Sequence, residues 1–194
     1  MAFPDRLQLP FQFDPELLAR DLAALESTPW TNHFIRQNYE GNWSAKPLRC
    51  NKGETHPVRM IFPNPTSREF VDSPLLEQCP YFREVLATFQ CPLRTVRLMR
   101  LTVGSNIKEH CDSGLDFELG MVRIHVPVVT HEAVEFYLNQ KRVVLPAGTC
   151  WYLRLSDRHR VANPGPTDRV HMLIDAFANE WLRGVLERAA AAVG

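Results

Sequence analysis

The sequence predicts a mainly β domain, an antiparallel sandwich or jelly roll with a helix at each end. Val122, Ile124, Val126 and Val128 alternate with Arg123, His125 and Pro127, so one face of an extended segment is apolar and the other polar. Several such short segments lie between Arg94 and Asp175, divided by turn signals at Asn139-Gln140-Lys141, Pro146-Ala147-Gly148 and Asn163-Pro164-Gly165-Pro166. Helical spacing at the two ends comes from Leu17, Leu18, Leu22 and Leu25, and from Trp181, Leu182, Val185 and Leu186.

In chain order, Asp14-Pro15 reads as an N-cap followed by proline at the first helical position, and the helix ends before Pro29-Trp30. Trp30 to Pro65 reads as irregular chain, rich in aromatic, Asn, Gly, Pro and basic residues. Tyr81 to Phe89 suggests a second short helix. Strands follow from Arg94, at Val122–Val128, Val134–Leu138, Arg142–Leu145, Thr149–Leu155 and Arg169–Asp175, and a helix over Asn179–Ala192 closes the chain. The expected organisation is a single domain over 1–194. It has N-terminal helices and substrate-side loops in 1–93, the β core in 94–178 and the C-terminal helix in 179–194.

The length of 194 residues suits one domain with a sizeable core. A formal net charge of zero argues against a nucleic-acid or anionic-membrane surface, which shows as a basic excess. No secretory signal and no stretch of roughly 18 apolar residues is visible, so neither export nor a membrane span is expected. The five cysteines, Cys50, Cys79, Cys91, Cys111 and Cys150, are scattered and form no C-x-x-C pair. Reduced thiols in the cytoplasm are the simplest reading.

The chemistry concentrates at His110-Cys111-Asp112. Residues two apart in a strand point the same way, so an imidazole and a carboxylate share one face. The triplet alone is weak, since a histidine at a strand end and a turn-forming aspartate before Ser113-Gly114 explain it equally well. His159, past the next hairpins, supplies a third donor if the barrel brings a late strand beside an earlier one. Two histidines and one carboxylate leave half of an iron ion's coordination open, as non-heme Fe(II) oxygenases require, whereas structural zinc closes all four positions. Arg169 follows His159 across a turn, and its guanidinium suits a carboxylate held by two parallel hydrogen bonds. Arg123 and His125 add donors on the expected inner face, where buried arginines call for an anion.

Taken together, His110-Cys111-Asp112, Arg123-Ile124-His125-Val126-Pro127, Trp151, His159-Arg160-Val161-Ala162-Asn163 and Arg169-Val170-His171 through Asp175 resemble the aspartyl/asparaginyl β-hydroxylase family of Fe(II)/2-oxoglutarate oxygenases. The resemblance implies a double-stranded β-helix, cupin-like in architecture, with Fe(II) at His110, Asp112 and His159. It implies Arg169 on the distal carboxylate of 2-oxoglutarate, Arg123 and His125 assisting nearby, and O2 as the oxidant. It covers about Arg97 to Asp175 and matches the N-terminal third only loosely.

Substrate choice is therefore expected in the N-terminal loops. Trp30, Arg36, Tyr39, Trp43 and Arg49 combine aromatic faces with cations suited to a small carboxylate-bearing molecule, an amino acid or derivative, or a peptidyl residue. The competing reading is that these residues fold the loop onto the barrel. Two other classes compete with the hydroxylase itself: a cupin-like metal enzyme that uses no 2-oxoglutarate, and a non-catalytic binding or sensor module. Arg169 counts against the first; succinate formation separates out the second.

Overall fold

The chain enters through a strand that its sequence pattern conceals. In the computed structural model, which describes residues 2–62, 64 and 66–192, β1 (Arg6–Gln12) runs antiparallel to a strand far along the chain, Thr149–Leu153. Asp14 then caps α1 (Pro15–Ala24), its Oδ1 accepting from Glu16 N at 2.9 Å, with Pro15 where no amide hydrogen is needed. The stretch expected to be irregular holds β2 (Thr31–Asn32), β3 (Tyr39–Glu40), β4 (Trp43–Asn51) and the one-turn α2 (Pro57–Met60); Pro65, its expected limit, lies outside the described residues.

Lys46 and Pro47 disguise β4. Lys46 is only 1% exposed, yet its ammonium donates to Thr28 Oγ1 at 2.8 Å and to the Leu25 carbonyl, and lies over the Trp30 ring. Pro47 sits beside a register shift, where the ladder is already interrupted. After β5 (Phe70–Asp72), α3 (Pro74–Glu77) and α4 (Pro80–Ala87) each begin on a proline.

The later strands follow the expected alternation. They are β6 (Leu93–Leu101), β7 (Asn106–His110), β8 (Met121–Val129), β9 (Glu135–Leu138), β10 (Lys141–Arg142), β11 (Thr149–Leu153), β12 (His159–Ala162) and β13 (Arg169–Phe177). Asn139 and Gln140 close the β9–β10 hairpin with φ of 49° and 62°, both positive as a tight two-residue turn of matching twist requires. β10 is shorter than the segment expected from Arg142 to Leu145. Finally, α5 (Glu180–Ala191) is capped by Asn179, whose Oδ1 accepts from Leu182 N at 3.0 Å.

Among the described residues, two antiparallel sheets result. The larger has eight strands, in the order β1-β11-β8-β13-β6-β4-β2 with β5 alongside β4; the smaller has five, β10-β9-β12-β7-β3. The expected jelly-roll class stands, but 1–93 contributes strands to both sheets and not only helices and loops.

Helices cover the outer face of the large sheet. Val122, Ile124 and Val126 of β8, with Val170, Met172 and Ile174 of β13, join Leu18, Phe82 and Leu182 in one apolar core. A smaller core, including Leu101, Ile107, Leu138 and Val161, draws on both sheets. The opposite rows of β8 and β13, Arg123 and His125 with Arg169, His171 and Asp175, therefore face the barrel interior. Helices bury the apolar row, and the barrel interior receives the polar one. That inversion makes the barrel a site.

Candidate metal centre

His110 ends β7 and His159 begins β12, and the two residues are direct partners across these neighbouring strands. Cross-strand partners project to the same face, so their rings meet, with centroids 4.2 Å apart. Asp112 follows just past the end of β7, fixed by its backbone N–H donating to the Leu155 carbonyl at 2.8 Å. Donor atoms of His110, Asp112 and His159 all lie within 4.8 Å of one another. The expected triad is therefore assembled.

The histidines are oriented as metal ligands. His110 Nδ1 donates to the Lys108 carbonyl at 2.8 Å, and His159 Nδ1 to the Asp157 carbonyl at 2.9 Å. A carbonyl only accepts, so each Nδ1 carries the proton, the tautomer that leaves Nε2 to coordinate a metal. Burial pushes His159 down to about 4, which keeps it neutral at pH 7, as coordination requires. For Asp112, burial opposes ionisation, but the Arg123 guanidinium holds the carboxyl below its usual value. Two imidazoles and a carboxylate, each held from behind, fit a divalent iron ion.

Arg123, expected beside the co-substrate, is committed elsewhere. Its Nη1 donates to Asp112 Oδ2 at 2.5 Å, while Nε and Nη2 bind the two oxygens of Asp175 at 2.6 and 3.0 Å. Arg97 Nη2 and Thr95 Oγ1 also donate to Asp175 Oδ2, at 2.7 and 3.0 Å. Arg123 thus holds the metal-side carboxylate in place, anchored in turn by Asp175. Burial alone would raise the Asp175 carboxyl; Arg123 and Arg97 override it and hold it well below the usual carboxylate range.

Removing that charge leaves buried Arg97 without an acid and Arg123 with Asp112 alone, so Asp175→Asn should cost about 3–5 kcal/mol, read from the urea midpoint at pH 7. The depressed value makes this contribution full above about pH 4 and lost as pH falls towards the folded-state value. The acid limb of parental stability should therefore be steeper than that of Asp175→Asn. Equal acid limbs would remove Asp175 from this role.

Among the described residues, Arg169 has no such partner. It is 3% exposed, and its Nη2 donates to His171 Nδ1 at 2.7 Å, while its Nε is buried with nothing to bond. Burial pushes it down to about 9. His171 accepts at Nδ1, so its neutral ring carries the proton on Nε2, which is likewise buried without a partner. His125 lies against it with Nδ1 atoms 3.5 Å apart, and burial holds both rings well below the ordinary histidine value. Arg169 and His125 line an inner cavity of about 40 Å³ with the triad, walled by Phe136, Leu155 and Val161. A buried cation with an unpartnered Nε and no acid beside it among the described residues implies an anionic ligand.

A larger outer cleft of about 730 Å³ also reaches His110 and Asp112. Of the loop residues expected there, Trp43 lines both cavities, stacked on His33 with centroids 3.7 Å apart. The others take structural places. Trp30 packs on the main core with Lys46 and Arg100 over its ring, and Tyr39 is buried in the smaller core. Exposed Arg36 donates to the Tyr39 hydroxyl at 2.6 Å. Arg49 is held by Asp72 and the Phe70 carbonyl, at 2.5 and 2.7 Å. Pairing of β4 with β5 and β6 turns Arg49 away from the cleft.

The cleft cations are instead Arg68, Arg94, Arg97 and Arg123. Sequence reasoning included His33 among the loop residues but passed over Arg94, Arg97 and Arg68. Arginines three apart in a strand segment were a signal for the first two, but their partners lie on other strands.

Comparison with known proteins agrees with this geometry. The sequence profile described as aspartyl/asparaginyl beta-hydroxylase matches residues 16–179. L-proline cis-4-hydroxylase of Rhizobium meliloti (strain 1021) is 27% identical over 180 residues, 90% of this chain but 62% of that protein, so the chain spans less than two thirds of this relative. An oxidoreductase of the 2OG-Fe(II) oxygenase family from Burkholderia pseudomallei superposes with a TM-score of 0.56, over 91% of this chain and 88% of its own, at 15% identity. HygX from Streptomyces hygroscopicus, with nickel and 2-oxoglutarate bound, gives 0.56 over 91% and 84%, at 13% identity. At these identities the solved structures establish the shared jelly-roll fold. The profile runs from the first helix to the cap of the last and takes in the whole triad, so the chain belongs to the aspartyl/asparaginyl β-hydroxylase family.

Proposed function

We propose that this chain is an Fe(II)- and 2-oxoglutarate-dependent hydroxylase acting on an unactivated carbon of a small carboxylate-bearing substrate, an amino acid or close derivative. The observation that carries the reading is Arg169, a buried guanidinium without an acid partner in the same cavity as two histidines and a carboxylate. A cupin-like metal enzyme without a dicarboxylate co-substrate has no use for it. The kinship with L-proline cis-4-hydroxylase supports an amino-acid substrate.

In this reading His110 Nε2, Asp112 and His159 Nε2 hold Fe(II), and Arg169 pairs with the distal carboxylate of 2-oxoglutarate. When bound, Fe(II) with 2-oxoglutarate and O2 supplies the oxidising power that couples decarboxylation of the co-substrate to hydroxylation of a C–H bond. The chain's own residues bind and orient. Arg123 fixes Asp112, and the Lys108 and Asp157 carbonyls fix the two imidazoles. Phe136, Leu155 and Val161 exclude water from the inner cavity, and Trp43 with His33 forms a wall on the substrate side. All five cysteines are free and four are buried, which suits a reducing compartment such as the cytoplasm. Among the described residues no helix is long and apolar enough to cross a membrane.

The test is succinate formation with Fe(II), 2-oxoglutarate and O2 across a panel of free amino acids. The expected result is stimulation above the uncoupled background, with a product heavier by one oxygen atom. A panel without stimulation, alongside a peptide or lipid that stimulates, would overturn the substrate class. Absence of 2-oxoglutarate binding would overturn the reading itself.

A further inference from the structure

The outer cleft holds four arginines, Arg68, Arg94, Arg97 and Arg123, against two aspartates, Asp112 and Asp175. Two of the arginines are matched within the protein. Arg123 binds both aspartates, and Arg97 binds Asp175 and the Ile61 carbonyl.

Arg94 is not matched. It is 6% exposed, but among the described residues no carboxylate pairs with it. Its Nη1 meets the Met121 sulfur, a weak acceptor, and its Nε is buried with no partner at all. The guanidinium lies 5.4 Å from the Phe70 ring centroid and 5.3 Å from that of Phe177. Arg68 reaches the same Phe177 ring at 5.9 Å. Aromatic faces attract the charge of a guanidinium but leave its in-plane N–H groups without acceptors. Two arginines therefore share one ring at the cleft wall, and the nearby charge of Asp175, whose oxygens Arg123 and Arg97 already occupy, acts on Arg94 only through space.

We propose that Arg94, with Arg68 at its rim, seats the carboxylate of the substrate, separately from the guanidinium that holds the co-substrate. The proposal rests on the assignment of the outer cleft as the substrate side of the iron site. The cleft also exposes Phe62 and Leu119, at 45% and 65%, which gives an apolar surface for the rest of the molecule. The substrate class is an α-amino or imino acid with an aliphatic body.

The experiment compares each acid with its uncharged amide: L-proline with L-prolinamide, and L-leucine with L-leucinamide. Binding is read anaerobically from tryptophan fluorescence of the protein loaded with Fe(II) and 2-oxoglutarate, since Trp43 lines the cleft. At least one acid should bind about 10-fold or more tightly than its amide, the scale of a hydrogen bond to a charged group. Arg94→Gln should abolish that preference, Arg94→Lys should retain part of it, and Arg68→Gln should weaken the acid only a few-fold because Arg68 is exposed.

Fe(II) and 2-oxoglutarate affinities should be parental in every variant. Their absence in the parent would instead refute the oxygenase reading, so the two failures are distinguishable. The seat is overturned if neither acid outbinds its amide in the parent, or if Arg94→Gln keeps the parental preference. Should Arg94→Gln fail to fold, Arg94→Lys decides: equal acid binding in Arg94→Lys and parent overturns the seat.

Discussion

Replacing His159 with alanine is expected to abolish Fe(II) binding at micromolar metal, and with it all 2-oxoglutarate turnover. An open site has few ligands to lose. Outer partners of metal ligands alone are worth roughly 10–100-fold in affinity, and a ligand itself is worth more. His110→Ala should behave in the same way, because the two rings are cross-strand partners offering equivalent Nε2 atoms. Asp112→Ala should be intermediate. It removes one ligand but also releases Arg123 Nη1, leaving a guanidinium near the metal that further disfavours the cation. Anaerobic Fe(II) titration, with metal content of the purified protein, gives the readout. Parental iron affinity in both histidine variants would move the metal elsewhere.

Arg169→Ala should raise the 2-oxoglutarate dissociation constant by about 2–5 kcal/mol, or roughly 30-fold to several thousand-fold. Arg169→Lys should recover only part, because an ammonium cannot present the paired N–H donors of a guanidinium. The same variants separate binding from folding. Without co-substrate, Arg169→Ala loses a buried charge that no acid compensates, so its melting temperature should equal or exceed that of the parent. With saturating 2-oxoglutarate the parent should gain stability through mass action and Arg169→Ala should not. If both gain equally, Arg169 does not hold the co-substrate.

By itself the sequence determined the local conformations and the chemical inventory. Asp14 and Asn179 start their helices because their side chains can accept the first free amides. Alternation in Val122–Val128 and Arg169–Asp175 specified which residues share a face, and that follows from the two-residue period of any strand. The spacing of His110 and Asp112 offered a metal pair, and Arg169 a guanidinium on the polar row.

Pairing across the chain decided the rest. His159 joins the triad because β12 aligns it opposite His110, a register no local pattern encodes. Arg123 reads from sequence as a donor beside the co-substrate; β8–β13 pairing sets it opposite Asp175, which with Asp112 takes up its charge. Arg36 and Arg49 resemble the arginines of the cleft in composition, but Tyr39 and Asp72 hold them elsewhere, while Arg94 reaches the cleft from β6. The physical reason is the range of the forces involved. Turns, caps and alternation depend on neighbours a few residues away, whereas a site is made by side chains whose partners are fixed only when distant strands take their register.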